Sequence, residues 1–220
     1  MSLLIALSTE DRAGRGRHTP QLDGKQDMTI GTLDAKTALL VVDLQKGTVG
    51  LPTAHPMGRV VNNAVALTEA FRKRTLPVVL INADGGAPGR TEQSFFLHDL
   101  PTNWTDLIPE LNRRRSDHII TKRTWGAFTN TGLEKYLRQC GVTQVVITGV
   151  VTSAGVESTA RQAHEIGFNV ALAVDAMTDL NADAHDNSIM RIFPRLGETG
   201  TTQQLIELLA ATSRGEKGIT

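Results

Sequence analysis

Three polar features close apolar runs in this chain and could act together. Asp43 ends TALLVVD, Lys122 ends HIITK, and a turn from Gly149 to Gly155 follows QVVIT. A carboxyl can give or take a proton, and an ammonium group can hold negative charge. The turn offers backbone. In VVITGVVTSAGVESTARQA, Val145 to Ala163, a β-branched run breaks at Gly149 and a helical pattern begins within a few residues. Thr152 and Ser153 can cap that helix, and Val156, Thr159, Ala160 and Ala163 recur at helical spacing. A strand, a tight turn and a helix N-terminus gather free N–H groups and a positive dipole end. Gly155 sits there with no side chain to react. Taken singly, Asp43 or Lys122 is equally a soluble stop after an apolar strand. Taken together, the three features converge on one cleft.

The elements that must position them alternate from Lys36 onward, which predicts βα units and a mostly parallel sheet. Strands are predicted over Thr37–Val42, Pro77–Ile81, His118–Thr121, Gln144–Thr148 and Asn169–Val174. Helices are predicted over Arg59–Lys73, Gly132–Gln139, Ala154–Ile166, Ala182–Phe193 and Thr202–Ala211. Right-handed crossovers set the carboxyl ends of such strands along one rim, where open α/β sheets bind ligands.

A chain of 220 residues suits one α/β domain with a core of fair size. The expected organisation is a partly flexible N-terminal extension over residues 1–33, a domain over 34–212 and a tail over 213–220. The polar stretch Thr9 to Met28 reads as loosely packed, or as an arm that docks on a neighbouring subunit. Lys plus Arg and Asp plus Glu number 23 each, and the pI is near 7.0, so no basic surface points to nucleic acid or an anionic membrane. A small-molecule substrate fits better. No apolar run approaches the ~20 residues that cross a bilayer, and the start MSLLIALSTEDR is short for a signal peptide, so a cytoplasmic location is expected. The single cysteine, Cys140, excludes an internal disulfide and reads as structural, at a helix C-terminus where the dipole disfavours a thiolate.

Beyond these readings, the chain resembles the isochorismatase-like hydrolase superfamily over Thr37 to Leu209. The resemblance rests on LLVVDLQKG with Asp43 and Gln45, on KRTWGAF with Lys122, Gly126, Ala127 and Phe128, on GVVTSAGVESTA, and on the tail FPRLGETGTT. In the third motif Gly155 stands where most members carry a nucleophilic cysteine. The resemblance implies a three-layer α-β-α, Rossmann-like fold with a six-stranded parallel sheet. It also implies a cis peptide at Val150-Val151 and an oxyanion hole made by the N–H groups of Val151 and Gly155. A homo-oligomer without a cofactor is expected.

The family's thiol route is closed to Gly155, and Cys140 lies a sheet's length away. Glycine at this position is also found in isochorismatases, which implies vinyl ether hydrolysis with Asp43 as proton donor and Lys122 orienting carboxylates or the leaving oxygen. Around that glycine, however, TSAGVESTARQA departs from isochorismatases and is similar to the amidohydrolase branch with only its cysteine changed, which implies with equal weight a diverged member that has lost its nucleophile and is inactive or binds a small ligand. Gln45, Trp125, Phe128 and Thr152 are the candidate substrate contacts, Trp125 being equally a core residue. No metal is expected. The stretch resembling the nicotinamidase metal site, NADGGAPGRTEQ, offers Asp84 and no histidine, and His18, His55, His98, His118, His164 and His185 lack ligand spacing. Asp175 could orient Lys122 or simply end a strand, and Glu157 with Arg161 reads as a surface or subunit pair.

Overall fold

The computed structural model describes residues 30–92 and 102–215. Most of the expected N-terminal extension, His18, His98 and residues 216–220 lie outside the described residues. Strand β1, Thr37–Val42, and strand β4, Gln144–Val150, are buried along their whole length. Their sequences are continuous apolar runs rather than alternating ones because helices cover both faces of the sheet. With β2 (Val78–Ala83), β3 (His118–Lys122), β5 (Asn169–Thr178) and β6 (Glu198–Gly200) they form one parallel sheet in the order β3-β2-β1-β4-β5-β6. The chain therefore switches direction between β1 and β4. That boundary is where a crevice opens beyond the carboxyl ends of a doubly wound sheet.

Among the described residues, six α-helices flank the strands: α1 (Lys46–Val49), α2 (Met57–Lys73), α3 (Leu133–Gln139), α4 (Glu157–Glu165), α5 (Ala182–Asn187) and α6 (Thr202–Gly215). One core layer joins Val60, Ala64, Leu67 and Phe71 of α2 and Leu205 and Leu209 of α6 to Leu39 and Val41. The other joins Leu133 and Leu137 of α3 and Val156, Ala160 and Ala163 to Leu40, Val42, Val145 and Ile147. Alternate residues of β1 thus face opposite layers, the period-2 geometry of a strand. Ile30 and Leu33 are buried in the first layer, so the packed body begins ahead of residue 34. At the amino end of the sheet, the buried Arg72 guanidinium reaches the Asp117 carboxylate at 2.5 Å, Glu69 at 2.7 Å and the Leu111 carbonyl at 3.0 Å. It ties α2 to the start of β3.

Three predicted elements differ from the structure. The helix expected from Ala154 begins instead as a π-helical turn, Thr152–Val156, before α4 takes over. The helix expected over Ala182–Phe193 stops at Asn187 and continues as a π turn and a 3₁₀ turn over Phe193–Arg195, because Pro194 has no N–H for the α ladder. Strand β5 runs on to Thr178 past a register shift against β4 between Ile147 and Gly149. Asp175 therefore lies inside the strand. Its carboxylate accepts the N–H and hydroxyl of Thr202 at 2.7 and 2.8 Å and anchors α6, with no part in orienting Lys122.

Candidate active site

Asp43 is the first residue beyond β1. Its φ of 51° lies in the left-handed region, which Asp tolerates better than most residues, and this turns the chain sharply out of the sheet. The turn is fastened at both backbone groups: the Asp43 N–H donates to the Ile81 carbonyl at 2.9 Å, and the Thr48 hydroxyl of α1 donates to the Asp43 carbonyl. Lys122 ends β3, two strands away, roughly 10 Å across the sheet. Ala83 pairs with Lys122 in the intervening strand, and its small side chain leaves the lysine stem a path over the rim. The ammonium arrives 2.7 Å from Asp43 Oδ2 and also donates to the Thr124 carbonyl at 3.1 Å.

Both side chains are buried. Burial raises the Asp43 pKa to about 6, against the opposing pull of the Lys122 charge and hydrogen bond. Desolvation therefore wins. Asp43 Oδ1 is buried and has no hydrogen-bond partner. A carboxyl with one oxygen on an ammonium, the other unengaged and a pKa about 6 can carry a proton to a bound molecule near neutral pH.

The turn after β4 forms the facing wall. Gly149 has φ 118°, and a Cβ there would lie 2.0 Å from the Val42 carbonyl oxygen, so only glycine lets β4 approach β1 this closely. The Val150-Val151 peptide is cis, as the resemblance implies. The Val151 carbonyl then accepts the N–H of Ala154 at 3.1 Å and of Val156 at 3.2 Å, closing the π turn. Gly155 lies against the acid: a Cβ built on it would be 3.1 Å from Asp43 Oδ2, 3.2 Å from the Val150 carbonyl and 3.2 Å from Val42 Cγ1. Asp43, Lys122, Val151 and Gly155 are thus brought together at one crevice. Cys140 caps α3 before β4 begins, at the other end of the sheet, and is exposed.

Of the four candidate contacts, Gln45, Phe128 and Thr152 are engaged within the fold, and Trp125 remains on the rim. Gln45 is fully buried, and its amide is saturated: Oε1 accepts the Ala83 N–H at 2.7 Å, while Nε2 donates to the carbonyls of Ala83 at 2.9 Å and Trp104 at 3.1 Å. It clamps the end of β2 to the segment before Leu107 and has no group left for a substrate. Phe128 packs on the second core layer with its ring 6.1 Å from Phe168, next to the amino end of β5, rather than walling the crevice. Trp125 is 56% exposed on the rim loop after β3, so it is no core residue. Thr152 is fully buried and hydrogen-bonded to His185 Nδ1 at 2.9 Å, which removes it from direct contact. Glu157 and Arg161 pair at 2.9 Å, and Glu157 also accepts the Ser188 hydroxyl at 2.6 Å.

His55, His185 and Asp179 are rim residues that sequence reasoning did not place. Their partners lie far away in sequence, and the one local signal was the polar stop TD that ends β5 and precedes α5. Asp84 is engaged by Arg123 at 2.8 Å, and no cluster of three or more His, Cys, Asp or Glu among the described residues could hold a metal ion. Among the same residues no helix is long and apolar enough to cross a membrane.

Comparison with known proteins gives consistent matches. A family model described as Isochorismatase domain matches residues 37–204. The isochorismatase family protein YwoC of Bacillus subtilis is 36% identical over 179 residues, 78% of this chain and 93% of its own length. YecD of Escherichia coli O157:H7, another isochorismatase family protein, is 38% identical over 195 residues, 80% of this chain and 98% of its own. The solved structure of an isochorismatase family protein from Burkholderia thailandensis superposes with a TM-score of 0.79 at 37% identity, covering 83% of this chain and 100% of that one.

Proposed function

The chain belongs to the isochorismatase family of hydrolases, and from that premise we propose that it hydrolyses a small vinyl ether such as isochorismate without a covalent intermediate. The observation that carries this reading is the buried, unpartnered Oδ1 of Asp43, on a carboxyl whose pKa is about 6, beside a residue with no side chain. Asp43 donates its proton to the terminal carbon of the enol ether double bond, which leaves an oxocarbenium ion on the ether carbon. Water adds to that carbon and returns a proton to Asp43. The hemiketal hydroxyl then gives up its proton to become the pyruvate carbonyl as the bond to the ring-borne oxygen breaks, and that oxygen takes up a proton and leaves as an alcohol. Lys122 holds Asp43 in place and stabilises substrate carboxylates or the departing oxygen, and the N–H groups of Val151 and Gly155 supply further donors for that oxygen. No step needs a thiol.

Pyruvate release from isochorismate by the purified protein, with Asp43→Ala as control, tests the reading. Release that disappears in the control supports it, and the absence of release removes isochorismate as the substrate.

A second reading is favoured by the place of position 155, whose Cβ would stand 3.1 Å from Asp43 Oδ2. A cysteine there would have its base beside it, as in an amidohydrolase, so the chain would be a diverged member that binds a small ligand. Gly155→Cys is then expected to hydrolyse small amides or carbamoyl compounds. A folded variant with a reactive thiol that hydrolyses none of a broad panel rules this reading out. We also propose a homo-oligomer, supported by the exposed apolar side chains of Trp125, Leu180 and Met190. Sedimentation velocity that finds a single-chain mass would overturn it.

A further inference from the structure

A second cluster of polar side chains lies at the carboxyl rim, beside the turn rather than in the crevice. His185 on α5 is buried, with Nδ1 2.9 Å from the Thr152 hydroxyl. His55, on the loop before α2, sets its ring 4.5 Å from that of His185, and its backbone N–H donates to the Thr178 hydroxyl at 3.1 Å. Asp179, at the end of β5, accepts the Ser153 N–H at 2.7 Å and the Asn181 N–H at 3.1 Å, and its carbonyl accepts the N–H of Ala54 at 2.8 Å. Two separate segments, α5 and the end of β5, therefore fasten the first two residues of the π turn, and the loop that carries His55 braces both of them.

We propose that His185 is a positioning residue for this turn: its Nδ1, bonded to the buried Thr152 hydroxyl, keeps Thr152–Val156 in the conformation that seats Gly155 against Asp43. The proposal rests on the reading that chemistry occurs at Asp43. Thr152 is fully buried, so water cannot replace a lost partner. The backbone of the turn is tied to the Val151 carbonyl through the N–H groups of Ala154 and Val156, and the Thr152 hydroxyl adds a side-chain tie at its first residue. The same burial excludes Thr152 as a nucleophile served by a histidine base. Burial and the neighbouring His55 hold the His185 pKa below its ordinary value, against the opposing charges of Asp186 and Asp179, so the ring is neutral at pH 7. A neutral ring can accept the hydroxyl proton at Nδ1 and hold it without adding charge near the acid.

The test compares His185→Asn, His185→Leu and Thr152→Val in the full chain. Asparagine can place its amide oxygen near the Nδ1 position to accept the same hydroxyl proton, leucine fills the space without a polar group, and Thr152→Val removes the hydroxyl with little change of shape. Amide hydrogen exchange across Thr152–Val156 is expected to rise about tenfold in the leucine and valine variants, and to stay within about threefold of the unsubstituted chain in the asparagine variant. The double variant that carries both His185→Leu and Thr152→Val should loosen the turn no further than either change alone, since both break one bond. For pyruvate release, the leucine variant should lower kcat about tenfold with KM within about twofold. Unchanged exchange in the leucine and valine variants, or an asparagine variant as loose as the leucine one, overturns the proposal. If the unsubstituted protein releases no pyruvate, the substrate reading falls while the exchange comparison still decides this one.

Discussion

At the scale of single residues, Asp43 is held between two opposing effects, of which burial is the larger. Burial favours its neutral form and Lys122 its charged form, and the outcome is a pKa of about 6. Carboxyl carbon NMR is expected to show Asp43 titrating near that value, and Lys122→Met to move the midpoint higher, because the lowering charge is removed while the burial remains. Turnover that needs the acid form should fall as pH rises through about 6. The folded chain holds this proton more tightly than the unfolded chain, whose value is 3.8. The stabilisation is present below 3.8 and lost as pH rises through about 6. Gly155 marks the other limit of the site. Gly155→Ala puts a carbon 3.1 to 3.2 Å from three neighbours, two of them rigid, and should cost about 1–3 kcal/mol in urea unfolding. Asp43, Lys122 and Gly155 were legible in the sequence because each closes or follows an apolar run. The roles expected of Gln45 and Phe128 were not, since a saturated amide and a ring turned toward the amino end are tertiary facts.

Among the elements, β1 and β4 carry the site and are joined by an unusually close backbone approach. Gly149→Ala drives a Cβ to 2.0 Å from the Val42 carbonyl at a φ of 118°, so it should destabilise the fold by more than about 3 kcal/mol, read as a lowered unfolding midpoint. The opposite end of the sheet depends on Arg72. Arg72→Met leaves Asp117 buried without its cation and should cost about 3–5 kcal/mol, while the Asp43 titration, a sheet's length away, stays where it was. Strands β1, β2, β4 and β5 were readable because their apolar runs are continuous and largely buried, whereas the edge strand β3 is half-exposed and showed only the short run Ile119-Ile120. Strand β6 has only Glu198, Thr199 and Gly200, and offers no run to read. The π turn was hidden for a different reason: Thr152 and Ser153 read as ordinary caps and Val156 falls on the helical spacing of α4, while the ties from His185 and Asp179 come from segments distant in sequence.

At the scale of the whole molecule, the alternation of strand and helix signals implied a parallel sheet, and the shared motifs implied its strand number and cis peptide. The start of the packed body was less visible. Ile30 and Leu33 follow a polar stretch, yet both are buried against the layer built on α2 and α6. Leu33→Ala should therefore behave as a core truncation, with a loss of about 2–5 kcal/mol in thermal or urea unfolding. The crevice at the β1/β4 switch follows from strand order alone, whereas its contents depend on which side chains the loops deliver. A final consequence follows from the bare Cα at position 155. Hydrolases that work through a thiol are silenced by peroxide and by alkylating reagents such as iodoacetamide, which capture the nucleophile itself. Here the lone sulfhydryl, Cys140, lies exposed at the far end of the molecule, and the crevice offers those reagents no thiol to capture. On the proposed mechanism, pyruvate release should persist through peroxide or iodoacetamide treatment that would stop a thiol-dependent hydrolase.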